Sequence, residues 1–539
     1  MEPIAASFCA RGRRRAGRPG RAVGVALALL ALASGCSGPT GSPDGAHVLV
    51  YGRAKDATTL DPASAEDGES VKVIANVFDT LVHYADDSAD LVPALATEWT
   101  FSEDGKTWRF RLRDGVRFHD GTEFDSDAVV FTFERLIDPE HLHGYGATRP
   151  YLPDYSVIQR VEAAGPLEVV FALKRPSGVF LRLLAMFPAS IVSPEAVKGA
   201  REQFGVRPVG TGPFRFEEWI KDERITLAAN PDHWRGVPKV DRVIFKPILE
   251  SEARRRQLTT GEIHMADELS IPTRRKIAQD PSLTLETRPG LNTAYLALNN
   301  ERPPFDDVRA RRAVAHAIDK EAIRRSAYDG EGRIATTLVP ATMWGAHAEI
   351  RDYPYDPGRA RELLKEAGVP QGAKVRFFAM RNGRPYMPSP EQVAAIVARQ
   401  LREVGLAPEI ESPDWSQYLE QVGQGEHDCA LFGWITDTAD PDNFLYTLLD
   451  KSNAVKPKAH NVSFYRSEPV HQLLAEAQTE VDQQTRERLY RRAQEIIHED
   501  CPLVPLMHLD LAVGMRKEVK GYVLHPTGLV LLRNVELVD

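Results

Sequence analysis

Along the first half of the chain, apolar positions recur mostly at every second residue. HVLVYG at 47–52 predicts an entering strand, and LDP at 60–62 ahead of GESVKVIANVFDTLV predicts a turn and then a helix. In TWRFRLR, Trp108, Phe110 and Leu112 alternate with polar neighbours, the pattern of a strand buried on one face, and Glu103, Asp104 and Gly105 supply the turn before it. Asp125 stands where its carboxylate caps a helix running through Val129, Val130 and Phe133. Alternation returns in VIQRVEAAGPLEVVFAL and GTGPFRFEEWIKDERITLAA, which predicts a mixed sheet whose turns fall at glycine, proline and charged pairs.

The second half has a helical period between short strands. DDVRARRAVAHAIDKEAIRRSAY places Val308, Val314, Ala317 and Ile318 near one face. DPGRARELLKEAGV has Asp356 as its cap, Pro357 at the first position and Gly368 beyond its end. KVRFFAM, the loop RNGRPYMPS, a helix opened by Ser389 and Pro390 and ended by Gly405, and the strand APEIES together predict a βαβ crossover. HDCALFGW is a further buried strand followed by ITDTADPDNF, and 473–498 predicts one more helical region. The fold class is therefore α/β.

Charge narrows the function. The chain carries a formal −9, and without residues 1–35, which hold six arginines and one glutamate, the remainder carries −14. That excludes the basic excess on which a nucleic-acid binder relies. The arginines precede the twelve apolar or small residues Ala22 to Ala33, too few to span a bilayer and normal for a signal-peptide core. Leu32, Ala33, Ser34, Gly35 and Cys36 resemble the bacterial lipobox, which makes 1–35 an export signal, Cys36 a lipid-attachment residue and 36–45 an anchor with a flexible spacer. The expected location is the periplasm or extracellular face of a bacterial membrane. Cys429 and Cys501 then lie in a compartment that permits a disulfide, and whether they pair or remain buried thiols stays open.

WTFSEDGKTWRFRLRDGVRFHDGTEF, PVGTGPFRF, NPDHWRG, RRAVAHAIDK and GWITDTADPDNF follow one another in an order that resembles the peptide, dipeptide and nickel-binding family of extracytoplasmic solute-binding proteins of ABC importers, over residues 47 to 535. The resemblance implies a periplasmic-binding-protein-like fold of two lobes with an additional subdomain. One lobe would comprise 46–75, 208–288 and 510–535, the inserted subdomain 76–207, and the opposing lobe 289–509. It also implies capture of a dipeptide or short peptide, delivery to a membrane permease driven by cytoplasmic ATPases, and no cofactor.

Two loop residues carry the most specific signal. Arg384 follows the strand VRFFAM, and its fork of donors matches a carboxylate; its passage resembles the RPYNPN segment whose arginine binds the peptide C-terminus in bacterial dipeptide-binding proteins. Tyr386 matches that motif, whereas Met387 and Ser389 replace its two asparagines. Asp437 corresponds to the aspartate that contacts the free peptide N-terminus in GWTGDNGDPDNF, with Thr436 replacing the glycine beside it; Asp440 and Asp442 are read as organisers of the turn. Gly433 and Trp434 are candidate pocket walls. Opposite charges offered to the two ends of a zwitterion favour short ligands of fixed backbone length. Nickel, haem or another solute on the same fold is the alternative cargo, and a secreted hydrolase the alternative class. HExxH, GxSxG, GxxxxGK[ST] and GxGxxG are absent, and His427, Asp428 and Cys429 alternate faces on a strand, so they do not converge on one ion.

Overall fold

The computed structural model describes residues 47–144 and 148–538. The chain divides into the units Met1–Gly45 and Ala46–Asp539; the export segment, Cys36 and the spacer lie outside the described residues. Among the described residues no helix is long and apolar enough to cross a membrane.

Three sheets organise the second unit. A seven-stranded mixed sheet takes its strands, in spatial order, from Leu283–Pro289, Asp510–Arg516, Met265–Ala266, Val48–Arg53, Arg242–Pro247, Arg224–Ala229 and Phe214–Ile220. A four-stranded antiparallel sheet is built from Ala96–Phe101, Thr107–Leu112, Glu168–Leu173 and Ile158–Gly165. A six-stranded sheet runs Arg333–Ile334, Leu503–His508, Asn292–Leu298, Cys429–Ile435, Ala373–Phe378, Leu406–Glu411.

Local chemistry explains these elements. In Thr107–Leu112, Trp108, Phe110 and Leu112 are buried and Thr107, Arg109 and Arg111 exposed. Phe110 meets Phe171 edge-on at 5.5 Å and Trp108 lies 5.4 Å from Phe180, and each such buried ring contributes about 2–3 kcal/mol. Asp125 accepts from the Ala128 amide at 3.0 Å and starts the helix Ser126–Ile137. Asp356 caps Pro357–Glu366 through the Arg359 amide, and Gly368 ends it at a φ of 74°. The predicted crossover is present: Ala373–Phe378 and Leu406–Glu411 pair in parallel, joined by the helix Pro390–Glu403. Ser389 stands at that helix's N-cap without a capping side-chain bond, so Pro390, with its fixed φ, opens the helix instead. The single helical region expected at 473–498 is two helices, Glu468–Thr479 and Gln483–Asp500. Asp482 interrupts them by accepting from the Thr485 amide at 2.8 Å, which starts a new N-terminus.

Two short segments carry the chain between the seven- and six-stranded sheets: Gly290 with Leu291, and Leu509. The buried Asn292 side chain ties them together, donating from Nδ2 to the Leu509 carbonyl at 2.7 Å and accepting from the Leu509 amide at 2.9 Å. His508 adds a bond from Nδ1 to the Asn292 carbonyl at 2.6 Å. The two crossings are thereby bonded to each other.

Cys429 and Cys501 are free and buried. Cys429 pairs with Leu298 on one side of the strand Asn292–Leu298, while Leu503, two residues after Cys501, pairs with Ala297 on the other. Two strand spacings, about 9–10 Å, exceed the roughly 7 Å that a disulfide tolerates between Cα atoms.

Candidate functional site

The strands Ala373–Phe378 and Cys429–Ile435 are parallel neighbours, with Phe377 opposite Cys429 and Phe378 opposite Ala430. Their following loops, which carry Arg384 and Asp437, consequently leave the same edge of the six-stranded sheet, where open α/β sheets hold ligands. The first loop is tight: the Arg384 amide donates to the Met387 carbonyl and the Met387 amide to the Arg384 carbonyl, both at 2.9 Å. It folds back over the second strand. Tyr386 is buried with its ring on Gly433, its hydroxyl against the Met380 sulfur at 3.7 Å, and its carbonyl accepting from Tyr328 at 2.9 Å. Burial pushes the Tyr386 phenol up to about 12.

Gly433 is glycine because nothing larger fits. A methyl there would collide with the Tyr386 ring and stand 2.5 Å from the Thr293 carbonyl oxygen. Gly433→Ala is therefore expected to destabilise the ligand-free protein by about 1–3 kcal/mol through overpacking, read as a lower melting temperature, and to displace the Arg384 loop. Tyr386 and Gly433 together form a packed support beneath that loop.

Arg384 itself is half-buried. Its guanidinium lies over the Trp415 ring, 3.6 Å from the centroid, its Nε has no hydrogen-bond partner, and among the described residues no carboxylate forms a salt bridge with it. Trp415 is held in turn by Tyr418, stacked at 5.6 Å, and by Phe432 at 6.2 Å. A flat cation supported on one face by an aromatic ring keeps its donor edge free for a planar anion.

Asp437 occupies the other loop. The Asn443 side-chain oxygen accepts from both the Asp437 amide, at 3.1 Å, and the Trp434 indole, at 2.8 Å, fixing the loop and the ring with one atom. Asp437 is an exposed residue, yet surrounding protein desolvates its carboxylate, and this effect, reinforced by the charge of Asp154, raises its pKa to about 7. Asp154 is itself raised by burial, with His460 opposing the shift; His460 meets Trp434 edge-on at 6.3 Å. Asp437 forms no salt bridge among the described residues. Asp440, by contrast, is fully buried and paired in a two-pronged bond with Arg486 at 2.8 and 2.9 Å, and it also accepts from the Asp442 amide at 3.0 Å. It organises the turn.

His427 and Asp428, next to Cys429 at the start of the strand, have structural partners. His427 bonds from Nε2 to the Val462 carbonyl at 2.9 Å, and Asp428 pairs with Arg302 at 2.7 Å. Among the described residues no group of three or more His, Cys, Asp or Glu is arranged to hold a metal. Trp415, Asn443 and Asp154 escape a reading of the sequence. Asn443 is visible inside the DPDNF motif, but nothing in the sequence pairs Trp415 with the side chain of Arg384.

This geometry meets its counterpart among known proteins. Residues 90–456 match the bacterial extracellular solute-binding proteins, family 5, middle region, and the chain belongs to that family. Its members are periplasmic or extracellular. The dipeptide-binding protein of Escherichia coli (strain K12) is 33% identical over 96% of this chain and 98% of its own length. Heme-binding protein A of Haemophilus influenzae is 34% identical over 89% of this chain and 91% of its own. The structure of an ABC transporter-associated periplasmic binding protein of Helicobacter pylori in complex with the peptide STSA superposes with a TM-score of 0.78 at 35% identity, covering 91% of this chain and 98% of that one. These are the two-lobe α/β binding proteins, and the present fold is of that class.

Proposed function

We propose that this protein captures dipeptides or similarly short peptides between two lobes and presents them to a membrane permease driven by cytoplasmic ATPases, performing no chemistry on them. One observation carries the reading: Arg384 and Asp437, opposite in charge and each without a salt-bridge partner among the described residues, stand on loops that leave one sheet edge from adjacent parallel strands. A free peptide offers a carboxylate to the first and an ammonium to the second. Trp434 walls the space between, while Tyr386 and Gly433 contribute from below by holding the Arg384 loop. The seven-stranded sheet is the core of a lobe made of 46–75, 208–288 and 510–535, the four-stranded sheet that of the inserted subdomain 76–207, and the six-stranded sheet that of 289–509. Closure then turns about the paired crossings at Leu291 and Leu509.

Calorimetric titration of ligand-stripped, metal-free protein tests the cargo. Unmodified dipeptide is expected to bind, and N-acetylated or C-amidated forms to bind much more weakly. Hemin or nickel–histidine binding tightly while dipeptides fail would replace the reading with the alternative suggested by the haem-binding relative.

The anchor belongs to the same proposal. The mature chain begins at Cys36 and carries lipid, which tethers the binding unit near its permease. Intact-protein mass spectrometry on native membranes is expected to show a diacylglycerol-modified first cysteine; an unlipidated Cys36, or a chain starting beyond it, would refute this.

A further inference from the structure

The loop that carries Asp437 is gripped from two sides. On its own side, the Thr436 amide donates to the Leu291 carbonyl at 3.1 Å, directly at the crossing between lobes, and Asn443 and Arg486 hold Asp437 and Asp440 as described. On the other side, two residues of the 76–207 segment reach the same loop. The Tyr84 hydroxyl donates to the Thr438 carbonyl at 2.8 Å, one residue beyond Asp437, and the Arg182 Nε lies 3.4 Å from Asp440 Oδ2. Tyr84, Arg182 and Asp440 are all buried.

These two residues form one assembly. Tyr84 ends the first strand of the hairpin Val82–Tyr84 with Leu91–Pro93, and its ring lies 5.8 Å from that of His525, in the segment that follows the last strand of the seven-stranded sheet. The His525 Nε2 bonds to the Ser88 carbonyl of that hairpin at 2.8 Å, and Arg182 donates to the Ala89 carbonyl at 2.9 Å. Next to them, the Gly178 amide donates to the Gln478 carbonyl at 2.8 Å and Arg486 returns a bond to the Gly178 carbonyl at 3.0 Å. Gly178 permits this approach, since a methyl there would collide with the Glu480 carbonyl oxygen.

Between the grips, Ala439 is held buried at a φ of 50°, a conformation that a non-glycine residue keeps only under external constraint. A phenylalanine would fill the space of Tyr84 equally well, so the buried hydroxyl is accounted for by its polar partners, the Thr438 carbonyl to which it donates and the Arg182 side chain.

We propose that Tyr84 and Arg182 are positioning residues for ligand capture. Acting through Thr438 and Asp440, they hold the Asp437 carboxylate from the far side of the crossing, so that ammonium binding and apposition of the subdomain reinforce each other. This rests on the reading of Asp437 as the ammonium partner.

A double-mutant cycle on the full chain, with alanyl-alanine titrated by calorimetry, separates positioning from packing. Tyr84→Phe is expected to weaken binding about 5- to 30-fold in the otherwise native protein and to change nothing in an Asp437→Asn background, with a cooperative melting transition retained at a somewhat lower temperature because the buried Thr438 carbonyl loses its donor. Arg182→Lys, which keeps the charge and loses the fork, runs the same cycle should Tyr84→Phe lose its cooperative melting transition. Equal losses in both backgrounds, or no loss in the native one, would overturn the positioning role while leaving Asp437 in place. Unchanged binding by Asp437→Asn itself would instead remove the ammonium site, and the positioning role with it.

Discussion

Arg384→Ala is expected to weaken binding of an unmodified dipeptide by about 30-fold to several thousand-fold while leaving affinity for the C-amidated form nearly unchanged, as measured by calorimetry. The size follows from what the guanidinium lacks and what the ligand brings. Its Nε is unpartnered, Trp415 covers one face at 3.6 Å, and no carboxylate of the described residues neutralises it. A peptide carboxylate supplies the missing acceptors in a partly desolvated cleft, and truncating the arginine strands that charge there. Arg384→Lys should fall between, because an ammonium keeps the charge but cannot present two parallel donors or lie flat on indole. A loss equal for free and amidated dipeptide would indicate damage to the loop rather than a carboxylate contact.

The Asp437 prediction has a pH signature. In the ligand-free protein, desolvation and Asp154 hold the carboxyl near pH 7, so it is largely protonated at pH 5 and ionised at pH 8. The peptide ammonium binds the ionised form. Binding must therefore expel the proton below pH 7, and affinity is expected to fall roughly tenfold per pH unit as pH drops from 7 toward the lower pKa of the bound state. Asp154 is raised in the same direction and adds to the fall. Asp437→Asn should weaken binding at pH 8 by about 30-fold or more and flatten most of the profile. Proton release, seen as a dependence of the binding enthalpy on the buffer's ionisation enthalpy, should be largely lost in that variant. A wild-type affinity unchanged from pH 8 to pH 5 would contradict the assignment.

Strand alternation and helix caps make much of the scaffold legible in the amino-acid sequence. Trp108, Phe110 and Leu112 mark a buried face on their own, and Asp125, Asp356 and Gly368 mark helix ends, because each acts within a few residues of itself. The break at Asp482 is hidden there, since helical periodicity on both sides gives no sign of where one helix stops. At the site, Arg384 and Asp437 are readable from motif and from their places after strands. Their setting is not. Trp415 under Arg384, Asn443 bridging Trp434 and Asp437, and Tyr84 on Thr438 are contacts between residues 6 to 354 positions apart, set by side-chain direction. Only the folded chain fixes these. Cys429 and Cys501 illustrate the same limit: an oxidising compartment permits a bond, and the strand between them forbids it.

A crystal structure of the protein with an unmodified dipeptide such as alanyl-alanine tests the central claim most directly. Density for the ligand is expected between the lobes, its carboxylate oxygens within hydrogen-bond distance of the Arg384 guanidinium and its ammonium on the Asp437 carboxylate, beside Trp434. A ligand bound with its ends reversed, or seated away from both residues, would contradict it.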